Sequence, residues 1–563
     1  MNVQDRVSGL QRRPLRTRGA FALVSLVALG ACSDDWTAPF SDAYSVDQMK
    51  ADLVALAHDS TQGRLSGTPE ASEAADFIRS RFESLGLEPG FAGGSYDQAF
   101  DLEWFSLIEG SRLTVRGIGG ARDPGNGWYP LNVALMGSAS GPVVFAGFGI
   151  DEPHLGWDDY QGADVSGKVV LVLEREPGVD DPASPFDGLV TANAARDWNK
   201  ALAAQKHGAV AILFVRDIHN RADVEDWAAA SAEYWPDQPR RVERFVHPAW
   251  AEAITIPGGF ISASVAEGLV KSSGRTLLEL AQASEAATNG LGVVDLPGTQ
   301  VDIRAYVERH RTPGRNVVAV LRGSDETLTD EAVMVLAHYD HNGAAGDTIF
   351  NGADDNISGV AGLLAIADAF AKGKADGRGP RRSVVFVATD AEERGPSIGA
   401  WHLTMDPPFP LVNTIAAFNI DMIGRNEEIP ADGGPRFNGL TPQTAESNAN
   451  AVNLIGYSRA PGLAAAVDSA NRDIGLEIKR RYDNNASNLL RRSDHWPYLQ
   501  SGIPAVWFFT GLHPDYHMAT DDEGKINYEK MVKIVRLIHQ SVWNVANHDG
   551  RYTVEPMGSR PES

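Results

Sequence analysis

Apolar positions along this chain fall into two rhythms, one of three and four residues and one of continuous short runs. From Ala71 to Leu85 the residues Ala74, Ala75, Ile78, Phe82 and Leu85 recur at helical spacing, and Gly86 follows as a helix stop. Between residues 130 and 300 the runs Val143–Gly147, Val169–Leu173 and Ala209–Val215 read as strands, with a helix predicted over Thr191–His207. These elements predict a smaller β-rich domain with a few helices. After Thr312-Pro313-Gly314 the pattern becomes regular: strands are predicted at 316–321, 332–337, 383–388, 415–420 and 503–508, with helices at 358–371, 397–404 and 527–546. Apolar strands alternating with helices predict an α/β fold, a mostly parallel mixed sheet with helices on both faces. Ligands of such sheets sit beyond the carboxyl ends of the strands.

Length and charge narrow the classes. A chain of 563 residues is large enough for two or three domains. Its net charge of −24 disfavours a phosphate-binding surface, so no nucleic-acid partner is expected. Arg12, Arg13, Arg16 and Arg18 precede the apolar run Ala20 to Ala31, which as a helix would span about 18 Å, short of a bilayer core of about 30 Å. Residues 1–31 therefore read as a cleaved signal peptide. The run ends Leu29-Gly30-Ala31-Cys32 and resembles a bacterial lipobox, which implies acylation of Cys32, export, and lipid anchoring at the cell envelope, on the outer membrane given Ser33. Residues 32–45 suit a tether. Cys32 is the single cysteine, so disulfides, thiolate metal sites and cysteine nucleophiles are all excluded.

The chemistry lies just after the strands. The run 332–337 leads into His338-Tyr339-Asp340, and Gly352-Ala353-Asp354-Asp355-Asn356-Ile357-Ser358-Gly359 leads into a helix. The run 383–388 leads into Asp390-Ala391-Glu392-Glu393, 415–420 into Asp421, and the last strand is followed by Tyr516-His517. Singly, each has a plainer reading: an Asp before Asn-x-Ser-Gly is usually a helix cap, and a Glu pair is usually a solvated loop. Together they offer nitrogen and oxygen ligands without sulfur, which suits zinc or cobalt, and enough carboxylates to hold two cations close together.

These stretches, with Asn419-Ile420-Asp421-Met422-Ile423-Gly424, Ser493-Asp494-His495 and the weaker Gly63-Arg64-Leu65-Ser66-Gly67-Thr68-Pro69, resemble the two-zinc metallopeptidases. That family includes leucyl aminopeptidases, glutamate carboxypeptidases and the non-enzymatic transferrin receptors. The resemblance implies a zinc exopeptidase fold over 46–129 and 301–548, a tail at 549–563, and a protease-associated insert at 130–300 announced by Asp158-Asp159-Tyr160 and Gly167-Lys168-Val169-Val170. It implies two Zn2+ ions, with Asp355 bridging them, Glu393 and His517 on one, His338 and Asp421 on the other, and a water between. Glu392 is implied as the general base, Asp340 as the residue orienting His338, and Asp494 as a supporting acid. Tyr516 is implied as an oxyanion donor. The expected activity is removal of N-terminal residues from peptides; the alternatives are a glutamate carboxypeptidase or dipeptidase, a glutaminyl cyclase with one zinc, or a binding protein. Relatives commonly read Glu-Glu-x-Gly-Leu-x-Gly-Ser, whereas Glu392 to Ala400 carries one extra residue, so the pocket border is expected to differ.

Overall fold

Each of two sheets takes its strands from a different part of the chain. The computed structural model describes residues 37–39, 45–132, 137–236, 244–395 and 397–556, and Ala38 onward forms one compact unit. The expected signal segment and Cys32 lie outside the described residues. Among those described, no helix is long and apolar enough to cross a membrane.

The larger sheet has nine strands. In order they are Glu88–Pro89, Val307–Leu321, Ser383–Thr389, Ala332–His338, Thr414–Ile420, Ala505–Phe509, Ala451–Ile455 and Glu477–Lys479, with Asp97–Leu107 paired on the long strand Val307–Leu321. The centre, from Ser383–Thr389 to Ala505–Phe509, is parallel. The flanking ladders on Val307–Leu321 are antiparallel, as is the pairing of Ala451–Ile455 with Ala505–Phe509. Register aligns the strand ends: His338 lies opposite Thr389, Leu336 opposite Asn419, and Ile420 opposite Phe508. The loops that leave these central strands therefore emerge together along one edge of one sheet.

Side chains alternate across this sheet. Val333, Val335 and Ala337 enter one apolar layer, while Ala332, Met334 and Leu336 enter the other. The first layer is covered by helices including Gly359–Ala375 and Tyr528–Asn547, the latter presenting Met531, Ile534, Val535, Ile538, Val542 and Val545 at helical steps. Each such buried aliphatic chain contributes roughly 1.5–3 kcal/mol. Asn527 caps the closing helix by accepting the Lys530 N–H.

The second sheet has eight strands and the same construction. Gly137–Phe145, Val169–Leu173, Ala211–Val215 and Gly258–Ile261 form a parallel centre. Its limits differ from the expected 130–300, because it takes in Arg112–Val115 upstream and runs to Ala305 in the strand Val294–Ala305. Buried positions interrupted by exposed ones leave no continuous hydrophobic run to read in these strands. The helix expected over Thr191–His207 is divided into a turn at Asn193–Ala195 and a helix at Asp197–Lys206, since Arg196 is extended (φ −69°, ψ 141°).

Candidate metal centre

The five expected ligands meet at the level strand ends. His338 closes its strand, and its Nε2 lies 3.4 Å from Asp421 Oδ1 and 3.5 Å from Asp355 Oδ1. His517 Nε2 lies 3.1 Å from Asp355 Oδ2 and 3.1 Å from Glu393 Oε2. Asp355 therefore divides its two oxygens between two donor groups. The side chains of His338, Asp355, Glu393 and Asp421 are buried, whereas that of His517 is 33% exposed and marks the open side.

Local structure aims Asp355. Within Ala353–Ser358 it has φ −103° and ψ 90°, which breaks the helix before it begins at Gly359. Asn356, rather than Asp355, does the capping: its Oδ1 accepts the N–H groups of Gly359 and Met422, and its Nδ2 donates to Ile420 O. This joins the Asp355 turn to the Asp421 turn. Gly352 (φ 56°) is required here, because a Cβ would stand 2.1 Å from Asp355 O and 2.5 Å from the His341 ring. Ala391, Met422 and His517 also hold left-handed φ of 58°, 57° and 58° without being glycine. Such strain is uncommon and concentrates where geometry is functional.

The supporting residues differ from expectation in instructive ways. The nearer contact of His338 Nδ1 is the Asp340 backbone oxygen at 3.2 Å, with Asp340 Oδ1 at 3.6 Å. The Asp340 carboxylate instead accepts the N–H groups of Glu392 at 3.1 Å and Glu393 at 3.2 Å, and the Ser66 hydroxyl at 3.1 Å. It therefore orients the Glu392-Glu393 turn as much as the histidine. Those two residues sit in a bend and turn rather than in extended backbone. Ser493 donates to Asp421 Oδ2 at 2.6 Å, and Asp494 accepts the Thr389 hydroxyl. Tyr516 Oη accepts from Arg492 at 2.9 Å, and its ring stacks on His517 with centroids 3.8 Å apart.

His341 escaped the sequence reading. It is fully buried, and its Nδ1 lies 2.7 Å from Glu393 Oε1 and 3.8 Å from Asp355 Oδ2. Glu393 is thus held by His341 on one oxygen and faces His517 with the other. Its one mark in the sequence is its place three residues beyond the strand-end histidine in the same loop, which does not separate a buried histidine from an exposed one.

The electrostatics fit a cation site. Burial pushes the His338 imidazole down, but Asp421, Asp340 and Asp355 raise it well above its ordinary value. Burial likewise opposes His517, which Glu393 and Asp355 lift to about 9. Burial and Glu393 push Asp355 up, yet hydrogen bonds from His338 and His517 hold it at about 2. Buried carboxylates demand positive charge, and in the metal-free chain the imidazoles supply it. Sulfur-free donors converging from one sheet edge match zinc in kind and number. Glu392, by contrast, is raised well above the ordinary carboxylate range by burial and by Asp421, Glu393 and Asp494.

Glu392 shares a cavity with Asp355, Glu393, Asp421 and His517, whose wall is otherwise Met422, Leu489, Trp507, Phe509 and Leu512, with Arg492 and Tyr516 at its side. A cluster of histidines and carboxylates beside an apolar pocket makes this the candidate metal centre. Residues 316–542 match the model of Peptidase family M28. The chain is 26% identical to a probable zinc metalloprotease of Pyrenophora tritici-repentis over 41% of its own length and 56% of that protein. It is also 26% identical to a probable glutamate carboxypeptidase of Zea mays, over 91% of this chain and 67% of that one. It thus spans little more than half the length of the first relative. Among solved structures it is similar to an aminopeptidase from Aneurinibacillus sp. strain AM-1, with 17% identity, 92% of this chain and 97% of that chain covered, and a TM-score of 0.49.

Proposed function

We propose that this chain is a zinc-dependent exopeptidase, an aminopeptidase holding two zinc ions. The carrying observation is Asp355, whose oxygens face His338 and Asp421 on one side and Glu393 and His517 on the other. Zinc bound there supplies Lewis acidity to the scissile carbonyl and makes water easier to deprotonate. The protein's own residues do the rest. Glu392, which lines the cavity beside Asp355, Glu393, Asp421 and His517, takes the proton of the attacking water and passes it to the leaving amine. Tyr516, fixed by Arg492 and stacked on His517, offers its hydroxyl to the developing oxyanion. Met422, Leu489, Trp507, Phe509 and Leu512 favour an apolar terminal side chain.

A carboxypeptidase reading has one observation in its favour, the 91% span of this chain in its match to the Zea mays protein. Peptides with free or acetylated amino ends separate the two. Release of the first residue from the free peptide alone supports the aminopeptidase, and equal cleavage of the acetylated peptide at its other end overturns it. Export and anchoring through Cys32 belong to the same proposal and rest on the sequence; Cys32→Ser leaving the membrane fraction with activity intact would support them.

A further inference from the structure

The segment between the strand Val169–Leu173 and the helix Asp197–Lys206 leaves the second sheet and is built into the other half of the molecule. Val190 in that segment is fully buried, in the same apolar layer as Met422, Leu489 and Phe509, three walls of the metal-site cavity. Its two neighbours are held by side chains of one facing loop. The Leu189 N–H donates to Asn484 Oδ1 at 2.8 Å, and the Thr191 N–H donates to Asn488 Oδ1 at 2.7 Å. Asn484 Nδ2 donates in turn to Pro182 O at 3.1 Å, Arg491 donates to Thr191 O, and Arg459 pairs with Asp187 at 3.1 Å.

Asn488 stands where this joint meets the cavity. It holds a left-handed φ of 60°, flanks the single turn Leu489–Arg491, and is followed at once by the cavity wall Leu489. Arg492, at the end of that turn, donates to Tyr516 Oη at 2.9 Å. Asp187, on the other side of the joint, is also left-handed at φ 77°. Asn and Asp tolerate this conformation better than other side chains, and it persists where surrounding contacts fix the backbone. Removing the Asn488 side chain deprives the Thr191 N–H of its acceptor and loosens the turn that carries Leu489.

We propose that Asn488 is a positioning residue through which the second sheet sets the Leu489 wall, and with it which terminal side chain the cavity accepts. The proposal rests on the aminopeptidase reading, in which that cavity takes the terminal side chain. A leucine side chain gains from contacts with such a wall and an alanine methyl group gains little, so a displaced wall lowers discrimination rather than turnover in general.

Release of p-nitroaniline from Leu- and Ala-p-nitroanilide by the zinc-loaded full chain tests it, in wild type, Asn488→Gly and Asn488→Asp. Glycine adopts the left-handed backbone without strain and removes only the side-chain acceptor, whereas aspartate keeps the acceptor. The leucine-over-alanine ratio of kcat/KM should fall about fivefold in Asn488→Gly, the scale of one lost hydrogen bond, mainly through the KM for leucine. In Asn488→Asp the ratio should stay within about twofold of wild type, since the bond is kept. An unchanged ratio in Asn488→Gly, or turnover lowered equally on both substrates, overturns the proposal. If Asn488→Gly does not fold, Asn484→Ala, which frees the neighbouring Leu189 N–H, carries the test in its place with the same two outcomes. If the wild type cleaves neither substrate, the aminopeptidase reading fails by itself. Calorimetric binding of leucine hydroxamate against alanine hydroxamate then judges the wall: a leucine preference lost in Asn488→Gly supports it, and a preference kept there, or absent from the wild type, overturns it.

Discussion

The two sheets are alike in construction and differ in how the acids at their strand ends are satisfied. In the eight-stranded sheet, Val169–Leu173 runs into Glu174-Arg175-Glu176 and Ala211–Val215 into Arg216-Asp217, acidic ends that resemble those of the larger sheet. There each carboxylate closes a local contact. Glu174 pairs with Arg221 at 3.3 Å, Glu176 accepts the Ala192 N–H at 2.9 Å, and Asp217 accepts the His219 N–H at 3.2 Å and Asn220 Nδ2 at 2.8 Å. The cluster of Asp151, Asp158 and His207 is already served by Lys206, whose Nζ lies 2.7 Å from Asp151. In the nine-stranded sheet Asp355, Glu393 and Asp421 face mainly one another and histidines, and burial leaves them wanting cations. An acid after a buried strand is therefore no site until several converge without internal counter-charges.

That contrast is broken most directly at Glu392, which lines the cavity beside the expected ligands. Glu392→Gln should retain metal and lower turnover by at least about 100-fold, the range for losing a general base. Near-normal turnover of the metal-loaded variant would remove the role. A smaller effect is expected at His341, which touches Glu393 at 2.7 Å. His341→Ala should weaken the Glu393-side ion by about 10- to 100-fold, as losing a partner that orients a ligand does, and leave the His338-side ion near its original affinity. Calorimetric titration with zinc resolves the two; an unchanged isotherm would make His341 a packing residue.

Smaller still is the effect of pH. In the metal-free protein His517 is raised to about 9, so at pH 7 it is protonated, and zinc takes only the neutral ring. Zinc affinity should thus rise with pH up to about 9 and fall by up to about tenfold per unit below it for this one proton. Titrations in two buffers of different ionisation enthalpy should show proton release. No release at pH 7 would mean that His517 is neutral before zinc arrives.

Much of the fold and the site is legible in the sequence because the chemistry comes directly after buried strands. The runs before His338, Glu392 and Asp421 are apolar on both faces and need no partner to be recognised. The antiparallel pair Asp97–Leu107 and Val307–Leu321 is not fully foreseen, since its outer parts mix polar and apolar residues and its pairing spans about 200 positions. The turn geometry is also hidden. Asp340 is expected behind His338, yet its carboxylate braces the Glu392-Glu393 backbone, because a turn with Ala391 at φ 58° folds those N–H groups toward it. His341 is missed because nothing in sequence distinguishes a buried loop histidine from an exposed one. The extra residue between Glu392 and Ala400 falls in a loop where Pro396 lies outside the described residues.

The central claim is that one carboxylate serves two cations, and zinc stoichiometry with calorimetric titration of the metal-free wild type, Asp355→Ala and His338→Ala tests it most directly. Asp355 is the residue whose oxygens reach both donor groups, at 3.5 Å to His338 and 3.1 Å to His517, and its charge would also screen two close dications from each other. The account predicts two zinc ions per wild-type chain, both weakened in Asp355→Ala and mainly one weakened in His338→Ala. A single zinc in the wild type, or an Asp355→Ala variant that loses only one ion, would contradict it.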